Sequence, residues 1–194
     1  MKAELVEAKG NKLSFNVEDA DIPILNAVRR YSMARVPVLA VERMTIYENN
    51  SSMFDEYVSH RVGLIPITTP AGIAPETEVG FSLDASGPKV VYSGEMKSAD
   101  GANAAARERI PIITLFEGQT LRFEGTAKVG TGKKHAKYQA GIAAYGDEGG
   151  KKGCLLFKAE SFYQMTPKEM LVRGCERMEA DLEAIGKAFK KSKK

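Results

Sequence analysis

The stretch ILNAVRRYSMARVPVLAVERM, residues 24–44, joins a helix pattern to a strand pattern. Apolar residues recur at helical spacing before Pro37, and we predict a helix over residues 21–34. Pro37 ends this helix, because the residue before a proline avoids helical geometry. The apolar run that follows Pro37 predicts a strand over residues 38–47.

The predicted helix has two different faces when its residues are spaced at about 100° each. One face is apolar and holds Ile24, Leu25, Ala27, Val28 and Tyr31. The other face holds Asn26, Arg29, Arg30 and Met33. Neither arginine has an acidic neighbour four residues away, and a planar guanidinium with five donors suits an interface. A solvated polar face and a docking site for another molecule are both consistent with this pattern.

The C-terminal part of the chain predicts a second helix with a well-marked start. Thr166 and Glu169 form a capping box, with Pro167 at the first helical position. One apolar row follows at spacings of 4, 3, 4, 3 and 4: Leu171, Cys175, Met178, Leu182, Ile185 and Phe189. This spacing is typical of a helix that lies along another helix. The row packs either on the chain's own sheet or partly on a second protein, and Ile185 and Phe189 are the best candidates for the second case.

The remaining sequence is rich in strand signals and predicts an α+β fold. Before residue 67, it predicts a strand over residues 12–17 and a helix over residues 53–62, capped by Ser51 or Ser52. Further strands are predicted at 79–83, 90–92, 110–115, 119–129, 142–145 and 154–159. Residues 99–109 are ambiguous between a loop and a short helix, and residues 146–153 form a glycine-rich link.

Composition and charge exclude several classes of protein. The 194 residues are 43% hydrophobic and carry a formal charge of +3, with several of the basic residues in the tail KAFKKSKK. A body near neutrality lacks the dense basic face of a nucleic-acid-binding protein. No run of about 18 apolar residues predicts a membrane span, and residues 1–15 do not form a secretion signal. We therefore expect a cytoplasmic protein without membrane contact.

Chemical motifs are scarce in this sequence. Two cysteines, Cys154 and Cys175, cannot complete a four-ligand zinc site and are expected to be reduced and buried. The two histidines, His60 and His135, lie in no recognisable ligand motif. The segment GTGKK, residues 130–134, lacks the glycine and the hydroxyl residue of a phosphate-binding loop. We expect no catalytic residues, no metal and no cofactor.

Several separated motifs, in the right order, resemble the family of the D subunit of archaeal DNA-dependent RNA polymerase. The motifs are N-A-x-R-R from Asn26, A-V-E-x-x-x-I-Y over residues 40–47, and D-E-x-x-x-H-R-x-G-L-I-P over residues 55–66. A further block, GTGKKHAKYQAGIAAY over residues 130–145, is similar to the middle region of the family. The family is related to the third-largest subunit of eukaryotic RNA polymerase II and to the N-terminal domain of the bacterial alpha subunit.

The resemblance implies a two-domain architecture. A discontinuous α/β dimerisation domain, a sheet with two packing helices, would comprise residues 1–46 and 155–194. An inserted, mostly β domain would comprise residues 47–154. Many members also carry a cysteine-rich iron–sulfur insert, but here only residues 146–153 occupy its place. Because a cluster takes four ligands, we expect none in this chain.

The resemblance also implies a scaffold role within a nucleotidyltransferase complex whose catalytic groups lie in other subunits. The L subunit of the polymerase would bind Ile24, Leu25, Val28, Leu171, Cys175, Met178, Leu182, Ile185 and Phe189. The second-largest catalytic subunit would meet Asn26, Arg29, Arg30, His60 and Arg61. The family implies further contacts with the small N and P subunits, and contact with DNA only through the complex. A homodimeric scaffold and a free-standing nucleic-acid-binding protein are the alternatives.

Overall fold

The computed structural model describes residues 2–19, 21–147 and 153–191 and confirms the α+β fold class. Its α-helices within those residues are α1 (Ile22–Ala34), α2 (Asp55–Gly63) and α3 (Pro167–Lys191). The strands there are β1 (Lys2–Lys9), β2 (Lys12–Glu18), β3 (Pro37–Asn49), β4 (Glu78–Ser86), β5 (Lys89–Tyr92), β6 (Lys97–Ser98), β7 (Pro111–Leu115), β8 (Thr120–Thr131), β9 (Gly141–Asp147) and β10 (Cys154–Ser161).

The chain divides into two compact units. Unit 1 comprises Met1–Val36, Thr131–Lys133 and Gln139–Lys194, and unit 2 comprises Pro37–Gly130 and Lys134–Tyr138. The boundaries of these units differ from the domain boundaries that the resemblance implies, which fall after residue 46 and before residue 155. Strand β3 joins the main sheet of unit 2, and β9 pairs along its length with β10 in unit 1.

Unit 1 is a four-stranded antiparallel sheet, in the order β1-β2-β10-β9, with α1 and α3. Val17, Phe157 and Ala159 are buried on one face of this sheet, since paired residues share a face. The start of α3 lies against that face, because a Cβ added at Gly141 would come within 2.7 Å of Met170 Sδ. The apolar face of the sheet thereby positions the start of α3.

Unit 2 is built from two antiparallel β-sheets and helix α2. The larger sheet has the order β3-β8-β4-β6, and β5 pairs with β7. Strands β4 and β8 alternate between buried and more accessible residues, which is typical of a sheet with one face on a core. Val58 and Val62 of α2 are fully buried in the core that this face forms.

Several local predictions need correction. Helix α2 begins at Asp55 after Phe54, not after Ser51 or Ser52, because the Ser51 hydroxyl instead accepts a hydrogen bond from the amide of Met53. Strand β1 was not predicted, and its residues are exposed along their whole length. Residues 99–109 form no helix.

Two further predictions concern the C-terminal third of the chain. Within the predicted link over residues 146–153, residues 148–152 lie outside the described residues. Cys154 is buried as expected, but the prediction of a buried Cys175 is wrong, since that thiol lies on the exposed side of α3.

Candidate protein–protein interface

Helices α1 and α3 of unit 1 approach each other most closely at Ser32 and Gly174. A Cβ added at Gly174 would lie 2.6 Å from Ser32 Oγ and 2.9 Å from Ser32 Cα, so only glycine fits. Both residues are buried, and the Ser32 hydroxyl donates a hydrogen bond of 2.8 Å to the carbonyl of Val28. The hydroxyl is therefore satisfied within its own helix while the two backbones come together.

Asp181 fastens α3 to α1 one turn beyond Met178. Its carboxylate accepts a hydrogen bond of 2.5 Å from Arg35 and one of 3.2 Å from the hydroxyl of Tyr31. Arg177 adds an ion pair at 3.0 Å from the preceding turn of α3. The hydrogen bond from Arg35 is the main reason that the pKa of Asp181 lies below its ordinary value. The polar contacts thus hold α3 in place up to this residue.

The predicted apolar row of α3 is mostly exposed in unit 1. Leu171 is 9% exposed, whereas Leu182, Ile185 and Phe189 are 60%, 52% and 68% exposed. Cys175 is exposed and Met178 is half-buried. The buried residues of α3 are Pro167, Met170, Leu171 and Gly174, so Leu171 alone belongs both to the predicted row and to the buried side.

The apolar face of α1 divides in a similar way. Leu25 is 4% exposed, whereas Ile24 is 45% exposed and Val28 is half-buried. Leu25 and Leu171, two of the residues predicted to bind the L subunit, are buried by the chain's own packing. Ile24 and the later residues of α3 remain as accessible apolar groups.

The polar face of α1 contains an internally bonded arginine and an accessible one. Arg29 donates two hydrogen bonds to Asn26 Oδ1, at 3.2 and 3.0 Å, and its Nη1 lies 3.8 Å from Met33 Sδ. Arg30 is exposed, and no hydrogen bond or ion pair in residues 2–19, 21–147 and 153–191 engages its side chain. Arg29 is thus held in position, while Arg30 is available to another molecule.

The other two residues predicted to meet the large subunit lie in unit 2, on α2. Arg61 donates a hydrogen bond of 2.6 Å to the carbonyl of Pro111, so its guanidinium already joins α2 to β7. His60 is exposed and lines a cleft of about 220 Å³ with His135 and Lys137. The five predicted residues are therefore divided between the two units, with three on α1 and two on α2.

Sequence reasoning missed a polar cluster in unit 2 that fastens residues 134–138 to strand β3. Glu42 accepts a short hydrogen bond from Tyr138, and Lys134 and Lys137 each lie 3.1 Å from its carboxylate. The bond from Tyr138 is the largest cause that lowers the pKa of Glu42 to about 2, and burial raises the pKa of Tyr138. No local spacing signals this cluster, because Glu42 and Tyr138 are 96 positions apart.

Among the residues that the structure describes, no three His, Cys, Asp or Glu side chains are grouped as metal ligands would be. None of the helices in that part of the chain is both long enough and apolar enough to cross a membrane.

The protein has an α+β architecture. One α/β unit is formed by segments that are distant in sequence, and a β-rich unit is formed mainly by the residues between those segments in the chain. Residues 44–145, more than half of the chain, match the RNA polymerase Rpb3/RpoA insert domain, and the chain belongs to this family. The resemblance of the sequence motifs to the archaeal D subunit is thereby confirmed.

Three relatives of the chain are RNA polymerase subunits. The chain is 41% identical to DNA-directed RNA polymerase subunit Rpo3 of Thermococcus kodakarensis over 149 residues, which cover 73% of this chain and 58% of the relative. It is 39% identical to the Rpo3 subunit of Pyrococcus furiosus over 152 residues, covering 75% and 58%. For Natronomonas pharaonis the identity is 43% over 118 residues, covering 61% and 48%. The chain thus spans 48–58% of the length of these relatives.

Proposed function

We propose that this chain is a non-catalytic scaffold subunit of DNA-dependent RNA polymerase, in which unit 1 forms a heterodimer with the L subunit. Membership of the Rpb3/RpoA family and the naming of the relatives as Rpo3 support the polymerase assignment. Catalysis of nucleotide addition belongs to other subunits in this proposal, and the chain contacts DNA only through the complex.

The observation that carries the proposal is the exposed apolar side of α3. Leu182, Ile185 and Phe189 are each more than half exposed along one side of a single helix. Fully burying one large apolar side chain contributes about 1.5–3 kcal/mol, and these three are already partly covered, so covering the rest is worth on the order of 3–5 kcal/mol before the costs of association. A partner helix along this side supplies that burial.

Co-expression with the L subunit encoded in the same genome tests the heterodimer. We expect size-exclusion chromatography with light scattering to give a stable complex of one copy of each chain. A monodisperse homodimer that ignores the L subunit contradicts the proposal and favours the homodimeric scaffold. Submicromolar, salt-dependent binding of naked DNA by the chain alone favours the nucleic-acid-binding alternative.

The polar side of α1 is proposed as the contact for the second-largest subunit. Arg30 is exposed, and Arg29 is oriented by Asn26. We propose His60 and Arg61 on α2 as secondary contacts for the same subunit. The small N and P subunits are proposed to bind the heterodimer once it has formed.

Substituting Arg30→Ala tests the contact with the large subunit. Removing an arginine buried in an interface typically costs about 2–5 kcal/mol, because its partner groups are left unpaired. We expect the heterodimer with the L subunit to form normally while capture of the second-largest subunit falls at least tenfold in a quantitative pull-down. Arg61→Ala removes one of the proposed secondary contacts, and we expect it to lower capture less than Arg30→Ala does. Undiminished capture by Arg30→Ala refutes the contact between α1 and the second-largest subunit.

The proposed scaffold contains no iron–sulfur cluster. Cys154 is buried in β10 and Cys175 lies on α3, and both are free thiols. A stoichiometric iron signal in the purified protein would contradict this part of the proposal.

A further inference from the structure

Helix α3 contains two interior glycines, and the chain's own packing explains only one of them. Gly174 is required by the approach of Ser32, as described above. At Gly186 an added Cβ would meet nothing within 4 Å. Glycine destabilises a helix interior relative to alanine, so a glycine without a packing neighbour has a cost that no contact among the described residues of unit 1 offsets.

The surroundings of Gly186 are those of a helix-crossing point. Leu182, Ile185 and Phe189 are four, one and three residues away, and all three lie within about 100° of arc that includes the glycine. These exposed side chains border a position where α3 itself contributes no side chain. The arrangement matches the crossing at Gly174, where removal of a side chain lets the Ser32 backbone approach.

We infer that a helix of the L subunit crosses α3 at Gly186 with its backbone in close approach, through a Gly, Ala or Ser of its own. This inference rests on the proposed function, since it describes the contact within the proposed heterodimer. It goes further by naming the crossing point and the kind of residue that the partner presents there.

Charge adds a second property to the partner helix. Glu176 and Glu179 lie along the edge of α3 on the Gly186 side, and both are exposed. In the described part of the chain neither carboxylate forms an ion pair, whereas the neighbouring Glu183 is paired with Lys187 at 3.1 Å. The partner helix accordingly carries Lys or Arg on the edge that faces Glu176 and Glu179.

Substitution of Gly186 tests the crossing, because it separates folding from association. Gly186→Ala is expected to raise the helicity and thermal stability of the free chain, since alanine favours the helix. The same change is expected to weaken binding of the L subunit by about tenfold, and Gly186→Leu by about a hundredfold, through overpacking. Titration calorimetry measures the binding, and circular dichroism measures the free chain.

Ala184→Leu is the matched control for this test. Residues 184 and 186 lie about 160° apart around the helix, and Ala184 is exposed. We expect Ala184→Leu to leave the affinity for the L subunit within twofold of the unsubstituted chain. Binding of Gly186→Ala that is equal or tighter overturns the crossing while leaving the heterodimer intact.

Other results distinguish the inference from the proposal on which it rests. If the unsubstituted chain does not bind the L subunit at all, the heterodimer itself is overturned. A homodimer that Gly186→Ala weakens overturns the assignment of the crossing to the L subunit and gives it to a second copy. For the charged edge, Glu179→Gln is expected to weaken binding and to flatten its salt dependence more than Glu183→Gln does, and equal effects overturn the charge assignment.

Discussion

The two halves of α3 are built from similar residues but meet different surroundings. In the first half, Gly174 lies against Ser32 of α1, and Leu171 is buried. In the second half, Leu182 and Ile185 are exposed, and a Cβ added at Gly186 would meet no described atom within 4 Å. The same combination of large apolar residues and a glycine is thus satisfied inside unit 1 at one end of the helix and left open at the other. Under the proposed function, the first half of α3 packs within unit 1 and the second half binds the partner.

The largest expected effect comes from removing the exposed apolar side chains of the second half. Leu182→Ala combined with Ile185→Ala removes about 2–3 kcal/mol of burial from the proposed association with the L subunit, because both side chains are only partly exposed in the free chain. We expect affinity in a binding titration to fall by about thirtyfold to a hundredfold, while the free energy of unfolding of the free chain changes by only about 0.5 kcal/mol. The pair Glu183→Ala and Lys187→Ala, on the same turns, is the control, because an exposed ion pair contributes little. Loss of folding in the first variant would place these side chains in the chain's own core.

The next effect concerns the first half of the helix. Gly174→Ala places a methyl group against the Ser32 backbone, and we expect overpacking to lower the free energy of unfolding by about 1–3 kcal/mol. Gly186→Ala is the matched substitution and is expected to raise it by about 0.5–1 kcal/mol. Chemical denaturation of both variants measures the two signs. If both variants gain stability, the close approach of α1 and α3 is wrong.

A smaller effect is expected where the two halves meet, at Asp181. Asp181→Asn weakens the contacts with Arg35 and Tyr31, so we expect a modestly lower melting temperature. Because folding lowers the pKa of this carboxyl, its stabilising contribution is complete above its ordinary pKa of about 3.9 and is lost as the pH falls through the lower folded value. The gap in melting temperature between the two proteins should therefore narrow below about pH 4. A gap that stays constant down to pH 2 excludes the ion pair as its cause.

Sequence patterns predicted the helices and strands better than the residues of other elements against which they pack. The capping box at Thr166 is present, with its hydroxyl accepting a hydrogen bond from the amide of Glu169, because capping depends on residues three positions apart. The apolar spacing of α3 predicted one continuous row, but it counted Cys175 and passed over Gly174, whose role depends on Ser32 in another helix. The Glu42 cluster was invisible for the same reason, since its members come together only in the folded unit.

Strand β1 was missed although its signal is local. Its sequence KAELVEAK alternates charged and apolar residues except at Leu5 and Val6, and such alternation is typical of a strand, although every residue of β1 is exposed. The predicted domain boundaries came from the family resemblance. The observed units follow the pairing of strands that are far apart in sequence, such as β2 and β10. The family resemblance identified the polymerase family although local patterns missed strand β1 and the long-range contacts, because it rests on several separated motifs in the right order.

The order in which the two units occur along the chain has a consequence for synthesis. Unit 2 is complete in sequence at Tyr138, whereas α3 begins at Pro167. During translation, at about 5–20 residues per second, unit 2 has all its residues for several seconds before α3 leaves the ribosome. Throughout that interval α1 lacks the helix whose Gly174 lies against Ser32. The surface proposed for the L subunit therefore forms only late in translation, which delays pairing until unit 1 can close.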